Sequence, residues 1–319
     1  MVGAVLVYED RIIGEGYHQQ YGAAHAEVNC INSVNANDKQ LIDKSTLYVS
    51  LEPCVHFGKT PPCADLVIEK KIPVVVVACR DSYQEVDGKG IQKLRTAGIK
   101  VITPVLEKEA LELNSRFFTF HTRKRPYIIL KWAQTANGKI AAGNASRLLI
   151  TNEITNREVH KWRSQEAAIM VGTTTALKDD PSLTTRWWPG NNPVRLVIDK
   201  ELKLPRTLHV LDGSIKTIVF NSILNETDGE LIYHKIAGES FISGMMKVLH
   251  NLKIQSVLVE GGSKLLQSFI DEGCWDEARV ITNNSLEIDG GISAPVLTNS
   301  AKSSSHTILT DTIQYYKPV

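Results

Sequence analysis

The sequence predicts an α/β protein of two domains, and three observations carry that expectation. The chain has 319 residues, more than one domain usually holds. Strand-like apolar runs alternate with helical segments along both halves. Near the middle, residues 121–125 are hydrophilic and basic and end at Pro126, after which the same rhythm starts again. The expected domains are therefore 1–121 and 126–319, joined by that stretch. Hydrophobic residues make up 43% of the chain and charged residues 22%, which supplies two cores and excludes disorder, collagen and coiled coil.

Residues 2–8 read as a buried strand and 11–16 as its hairpin partner, with Glu9-Asp10 as the turn. A helix is expected over 24–34, where Ala24, Val28 and Ile31 share a face. Residues 46–50 form a short strand, and 63–70 a helix opened by Pro61-Pro62, since proline suits a first helical turn. A strand at 73–78, a helix at 90–97 and a strand at 99–102 complete the first half. In the second half, strands are expected at 127–132, 168–171, 194–198, 217–220 and 256–260, with helices at 153–163 and 264–271.

Lys plus Arg total 36 against 35 for Asp plus Glu, a net charge of +1. That balance offers nothing to attract a nucleic-acid backbone or an anionic membrane. No apolar run approaches the roughly 18 residues of a membrane span. Glu9, Asp10 and Arg11 interrupt the opening apolar run, which argues against a signal peptide. Five scattered cysteines are too few for a disulfide framework in a chain this long, so a reduced, cytoplasmic protein is expected.

Three short pieces belong together: His25-Ala26-Glu27, Pro53-Cys54 and Pro62-Cys63. One His and two Cys make a three-ligand set for zinc that leaves a fourth position to water, as a catalytic site requires. Zinc brings the pKa of that water toward neutrality. A carboxylate one residue beyond the His ligand can carry the proton without binding the metal, and Glu27 is that candidate. The pattern follows the H-x-E…P-C-x-x-C signature of zinc deaminases, except that eight residues, not two, separate Cys54 from Cys63. Cys63 still falls where a helix begins, which favours its thiolate. Cys30, Cys79 and Cys274 are expected only to pack.

The second half lacks G-x-G-x-x-G, so a standard dinucleotide fold is not indicated. It offers two strand–turn–helix units with small residues at the turn, one at Val171-Gly172-Thr173-Thr174-Thr175 and one at Glu260-Gly261-Gly262-Ser263. Such turns let phosphate reach backbone N–H groups.

HAE followed by SLEPCVHFGKTPPCADLVI resembles the deaminase half of the bifunctional riboflavin-biosynthesis deaminase/reductase family, whose long spacer between the cysteines is distinctive. HKWRSQEAAIMVGTTTALKDDPSLTTR, then VRLVID and VEGGSKLLQSFI, resemble its reductase half. The resemblance covers nearly the whole chain, in the family's domain order. It implies a cytidine-deaminase-like zinc domain followed by a dihydrofolate-reductase-like domain that uses NADPH. It also implies a small-molecule substrate and a homo-oligomer associated through the reductase halves. By motif position, Lys59 and Thr60 become substrate contacts of the first site. Ala133, Thr175, Asp179 and Gly262 become cofactor contacts, and Arg163, Leu183, Arg186 and Glu260 substrate contacts of the second. The two arginines suit a sugar phosphate, which calls for bidentate guanidinium donors.

The implied reactions are deamination of 2,5-diamino-6-ribosylamino-4(3H)-pyrimidinone 5′-phosphate, then reduction of the ribosyl group to 5-amino-6-(5-phosphoribitylamino)uracil. The sequence departs from the family pattern at Val55, where Ser is usual. It departs again at Thr135-Ala136-Asn137-Gly138, usually Ser-Leu-Asp-Gly, and at Leu149, usually Trp. Family members also carry an N-terminal helix and an Asn-Pro pair before the strand that here begins at Met1. Met1 is therefore expected to be an internal methionine, and a second reading follows: a reductase with a truncated, inactive deaminase half.

Overall fold

Glu9 and Asp10 both adopt positive φ, 45° and 63°. That is the backbone of a two-residue hairpin turn whose twist matches its strands, and it joins β1 (Gly3–Tyr8) to β2 (Arg11–Tyr17). The computed structural model describes the chain apart from residues 21, 59, 84, 144–147 and 239. It divides the chain into two compact units, Met1–Arg123 and Lys124–Val319.

In the first unit, α1 (Ala26–Asn32) follows the hairpin. Then come a 3-10 turn (Ala36–Lys44), β3 (Thr46–Val49), α2 (Cys63–Glu69), β4 (Val74–Val77), α3 (Lys89–Thr96) and β5 (Lys100–Ile102). The sheet order is β2-β1-β3-β4-β5, with β3, β4 and β5 parallel. Alternate strand residues such as Leu6, Leu47, Val75 and Val77 meet Cys30, Ile31, Val67 and Leu94 of the helices in one core. Helix α1 lies unusually close to β2. A Cβ at Gly16 would fall 2.3 Å from the Cys30 nitrogen, so only glycine admits the helix at this depth.

The hydrophilic stretch expected as a linker is structured. After α4 (Glu107–Leu113), α5 (Ser115–Arg123) runs through His121, whose ring lies 4.4 Å from that of Phe117. His121 and Arg123 occupy the last turn, where positive charge complements the helix dipole. Arg125 already belongs to the second unit. Its guanidinium donates to both Asp276 oxygens at 2.5 and 2.9 Å, and Asp276 also accepts from the Ile128 N–H at 2.8 Å.

The second unit is built on a ten-stranded sheet. Its elements are β6 (Tyr127–Thr135), β7 (Lys139–Ala141), α6 (Glu153–Gln165), β8 (Ala168–Gly172), α7 (Thr173–Asp179), β9 (Val194–Ile198), β10 (Thr217–Asn221), β11 (Glu226–Asp228), β12 (Leu231–Lys235), α8 (Phe241–Asn251), β13 (Ser256–Val259), α9 (Ser263–Asp271), β14 (Glu277–Asn283), β15 (Ile292–Ser293), β16 (Ser300–Ile308) and β17 (Asp311–Pro318). The order is β11-β12-β10-β9-β8-β13-β6-β14-β17-β16, parallel from β12 through β14. The central strands are apolar on both faces, as a covered parallel sheet requires. Leu130, Met170 and Val259 face Met245, Leu249 and Phe269 of α8 and α9. Ile129 and Leu258 face Val159 and Trp162 of α6, while Val171 packs on Ala176 of α7.

Strand β8 connects through α7 to β9 on one side, whereas β13 connects through α9 past β6 to β14 on the other. Adjacent parallel strands whose connections part in this way leave a crevice at their carboxyl ends, the usual ligand position of an open α/β sheet. Among the described residues no helix is long and apolar enough to cross a membrane.

Candidate active sites

In the first unit, His25 takes an extended backbone (φ −72°, ψ 167°) as the N-cap of α1, and Glu27 follows in the first helical turn. Cys63 opens α2 behind Pro62. The eight-residue spacer closes back on itself: the Cys63 N–H donates to Cys54 Sγ at 3.3 Å and the Ala64 N–H to the Cys54 carbonyl at 3.1 Å. His25 Nδ1 then lies 3.5 Å from Cys54 Sγ and 3.4 Å from Cys63 Sγ. Their ligand atoms all fall within 4.8 Å of one another, the one such cluster among the described residues.

The thiols explain why a cation belongs here. A hydrogen bond from Cys63 holds the Cys54 thiol down to about 4, and Cys54 in turn pushes the Cys63 thiol up. Two thiols this close oppose each other's ionisation; a divalent cation lets both ionise and uses the imidazole as a third donor. The donor set fits zinc. Glu27 is 3% exposed and its carboxyl reaches Cys63; burial raises its pKa above the usual carboxylate range.

Glu52, which the sequence reading did not single out, holds this loop in place. Its buried carboxylate accepts from the backbone N–H groups of Asp81 (3.2 Å), Gly88 (2.9 Å) and Ile91 (3.0 Å). An acid directly before Pro53-Cys54 was the available signal. Around the cluster, Tyr83 packs against Cys54 and Cys63, and its ring meets those of His56 and His121 at 5.8 and 5.1 Å. His56 Nδ1 is buried with no hydrogen-bond partner among the described residues. Thr60 is half-buried in the spacer, and Lys59 lies outside the described residues. Val55 packs at the edge of the core.

In the second unit, the sheet register assembles the other site. Val259 of β13 pairs with Leu130 of β6, so Glu260 comes beside Lys131. Arg163, at the end of α6, donates from Nε and Nη2 to the two Glu260 oxygens, both at 2.7 Å, and from Nη1 to the Thr184 carbonyl at 3.1 Å. Lys131 Nζ stands 3.7 Å from Glu260. Burial alone would raise the Glu260 carboxyl, but the Arg163 and Lys131 charges outweigh it and hold the group down to about 2. Burial lowers Lys131, with Glu260 opposing the shift. His160, one turn before Arg163, is pushed down to about 4 by burial and then by the Arg163 and Arg186 charges.

Lys131 and His160 were missed from the sequence. A lone lysine inside the apolar strand YIILKW was the signal for the first. Leu183 is 2% exposed in the core beneath α7, with φ of 53°. Arg186 is exposed, bonded to Thr184 Oγ1 at 3.3 Å and set 5.5 Å over the Trp187 ring. The structure thus brings Arg163 and Glu260 together, with Arg186 joined to them through Thr184.

Replacing Arg163 with Ala leaves the Glu260 carboxylate buried, with Lys131 as its remaining ion-pair partner among the described residues. Breaking such a pair costs about 3–5 kcal/mol, and the remaining lysine places the expected loss near the lower end, measurable by denaturant unfolding. The sign with pH follows from the depressed Glu260 pKa. The pair's contribution is full above the ordinary glutamate pKa and is lost as pH falls through about 2, so the parent and Arg163→Ala curves converge in acid.

The crevice between β8 and β13 has a narrow floor. A Cβ on Gly261 would meet Thr175 Cγ2 and Oγ1 at 3.0 Å, and Gly262 adopts φ of 65° at the N-cap of α9. Without side chains there, a pyrophosphate can approach the backbone N–H groups between the two turns. Thr175 and Gly262 therefore meet, and Asp179 lies one helical turn beyond Thr175 on α7. Ala133 stands two residues past Lys131 on β6, beside Ile281 of β14. Asn137 replaces the family's usual Asp in a turn that it helps to close. It accepts from Thr135 Oγ1 at 2.6 Å and donates to the Ile288 carbonyl at 2.9 Å. Leu149 is 76% exposed.

Fold and sites define a class: a cytidine-deaminase-like zinc domain followed in one chain by a dihydrofolate-reductase-like domain. Comparison with known proteins agrees. Residues 1–79 match the family model of the cytidine and deoxycytidylate deaminase zinc-binding region, and residues 126–310 that of the RibD C-terminal domain. The riboflavin biosynthesis protein RibD of Aquifex aeolicus is 43% identical over 281 residues, 86% of this chain and 78% of that protein. Its counterpart from Bacillus amyloliquefaciens is 39% identical over 287 residues, 87% and 76% respectively. The crystal structure of a diaminohydroxyphosphoribosylaminopyrimidine deaminase/5-amino-6-(5-phosphoribosylamino)uracil reductase from Thermotoga maritima superposes with a TM-score of 0.90. It is 35% identical, with 100% of this chain and 92% of that one covered. The chain belongs to the RibD family.

Proposed function

We propose that this chain catalyses two successive steps of riboflavin biosynthesis, with deamination carried by residues 1–121 and reduction by 126–319. The substrate is 2,5-diamino-6-ribosylamino-4(3H)-pyrimidinone 5′-phosphate and the final product 5-amino-6-(5-phosphoribitylamino)uracil. The observation that carries the reading is the buried Glu27 carboxyl beside the His25–Cys54–Cys63 cluster. It supports a working deaminase over a reductase alone.

His25, Cys54 and Cys63 hold zinc, which when bound supplies the Lewis acid that makes water nucleophilic near neutral pH. Glu27 takes the proton of the attacking water and hands it to the departing amine, so that ammonia leaves and a carbonyl remains. Burial keeps that carboxyl readily protonated between the two transfers. Thr60, in the spacer between the two cysteines, and by motif position Lys59, are assigned to substrate binding.

In the reductase unit, Ala133, Thr175, Asp179 and Gly262 position NADPH, which supplies the hydride for C1′ of the ribosyl group. Arg163 and Arg186 bind the sugar phosphate, Glu260 fixes the Arg163 guanidinium, and Leu183 shapes the wall below. Reduction at C1′ leaves the former ring oxygen in need of a proton. Lys131, whose ammonium burial weakens, stands at this end of the crevice to give it. The cysteines are all free thiols, as a reducing cytoplasm allows. The nine-residue edge strand β16, exposed along most of its length, supports association of two copies through this unit.

The test supplies zinc, NADPH and the diaminopyrimidinone ribosylphosphate and reads the products by mass spectrometry. The expected result is a product both deaminated and reduced. An untouched diamino substrate, with separately deaminated material still reduced, would remove the deaminase assignment and leave the reductase.

A further inference from the structure

The sugar-phosphate site of the second unit, the reading on which this inference rests, takes its two arginines from different kinds of backbone. Arg163 stands on α6 and is locked by Glu260. Arg186 stands on a connecting segment and is exposed, and among the described residues no carboxylate lies within ion-pair distance of it. A free arginine side chain loses much rotamer freedom when it grips a phosphate. What limits that loss here is the ring beside it: the Arg186 guanidinium carbon lies 5.5 Å over Trp187.

The segment is built to present this pair. The Trp188 N–H donates to the Thr185 carbonyl at 3.1 Å, so Arg186 and Trp187 are the two corner residues of a turn. Asn192 Oδ1 closes the base by accepting from the Thr185 N–H at 2.9 Å and from its hydroxyl at 3.0 Å. Gly190, at φ of 140°, brings the segment back against α6; a Cβ there would fall 2.8 Å from Ser164 Cβ. The indole then meets the His160 ring at 5.0 Å. His160 is buried, one turn before Arg163 on the same face of α6. One helix face therefore registers both arginines, Arg163 directly and Arg186 through the indole. Trp187 itself stays 49% exposed, so burial of the ring is not what the segment gains from it.

We propose that Trp187 is a positioning residue of the reductase site: its ring holds the Arg186 guanidinium ready for the sugar phosphate, and His160 holds the ring. Trp187 acts through Arg186 and touches no reacting atom. Trp188 beside it is the contrast. Its ring carries Lys161 at 5.4 Å, whose ammonium already pairs with Glu158 at 3.3 Å.

Two measurements test this: steady-state reduction of previously deaminated substrate, and calorimetric titration with ribose 5-phosphate, the sugar-phosphate part without its base, with NADP+ present. The variants are Trp187→Ala, Trp187→Tyr, Trp188→Ala, Arg186→Ala and the double variant combining Arg186→Ala with Trp187→Ala. Trp187→Ala is expected to raise KM and to weaken ribose 5-phosphate by the same roughly 2- to 30-fold, the range of one cation–π contact, with kcat held. Trp187→Tyr is expected to recover most of the loss, and Trp188→Ala to match the parent. In the Arg186→Ala background the Trp187 substitution is expected to cost nothing further. Parent-like KM and affinity in Trp187→Ala overturn the assignment, as does a lowered kcat with KM unchanged or a full additional loss in the double variant. A loss for the whole substrate with ribose 5-phosphate binding intact also overturns it, making the ring a platform for the base instead. A parent chain that neither binds ribose 5-phosphate nor reduces the deaminated substrate overturns the reductase reading itself. Far-UV circular dichroism of each variant reports folding independently.

Discussion

Glu27→Gln is expected to keep one zinc per chain and to lose deamination by about 10²–10⁴-fold, the usual worth of a positioned general acid–base. The substitution preserves volume at a site only 3% exposed, so the helix that carries His25 keeps its place against β2. What it removes is the ability to hold a proton between water and amine. Ammonia release and metal content measured on the same preparation separate the two effects. Reduction of material deaminated beforehand should proceed at the parent rate, because Glu27 lies in the first unit and Arg163–Glu260 in the second. Ammonia release at the parent rate would end the proton-shuttle assignment.

Cys63→Ser is expected to abolish stoichiometric zinc. A hydroxyl does not ionise as a thiolate does, and two donors remain where a catalytic zinc needs three. The loss in affinity should exceed the roughly 10- to 100-fold that changes outside the ligand shell cause. Cys30→Ser serves as the comparison, since Cys30 is equally buried but lies in the core between α1 and the sheet and offers no ligand atom to the cluster. Metal analysis after dialysis decides the matter. Full zinc in Cys63→Ser would break the ligand assignment across the eight-residue spacer.

The difference between what could and could not be read in advance runs along sequence separation. The hairpin at Glu9-Asp10, the helix opening at Cys63 and the paired Gly-Gly and Thr-Thr-Thr turns are local signals, written in neighbouring residues. The stretch over 121–125 misled for the same reason. Its charges read as a solvated linker, whereas Phe117, Phe118 and Phe120 just before it supply the apolar side of a helix. His25, Glu27, Cys54 and Cys63 could be named because the chemistry of zinc restricts residue type so strongly that spacing and type suffice.

The sequence by itself determined the α/β class, the candidate metal donors with the acid beside them, and the small-residue turns that floor the second candidate site. Only the tertiary structure decided which charges meet there. Arg163 and Glu260 are 97 residues apart, Lys131 joins them through the β6–β13 register, and the Asp199 carboxylate is turned into its own loop by the Lys203 and Leu204 N–H groups. Each of these depends on strand order and on competition for hydrogen bonds between distant segments, quantities that no local pattern of residues encodes.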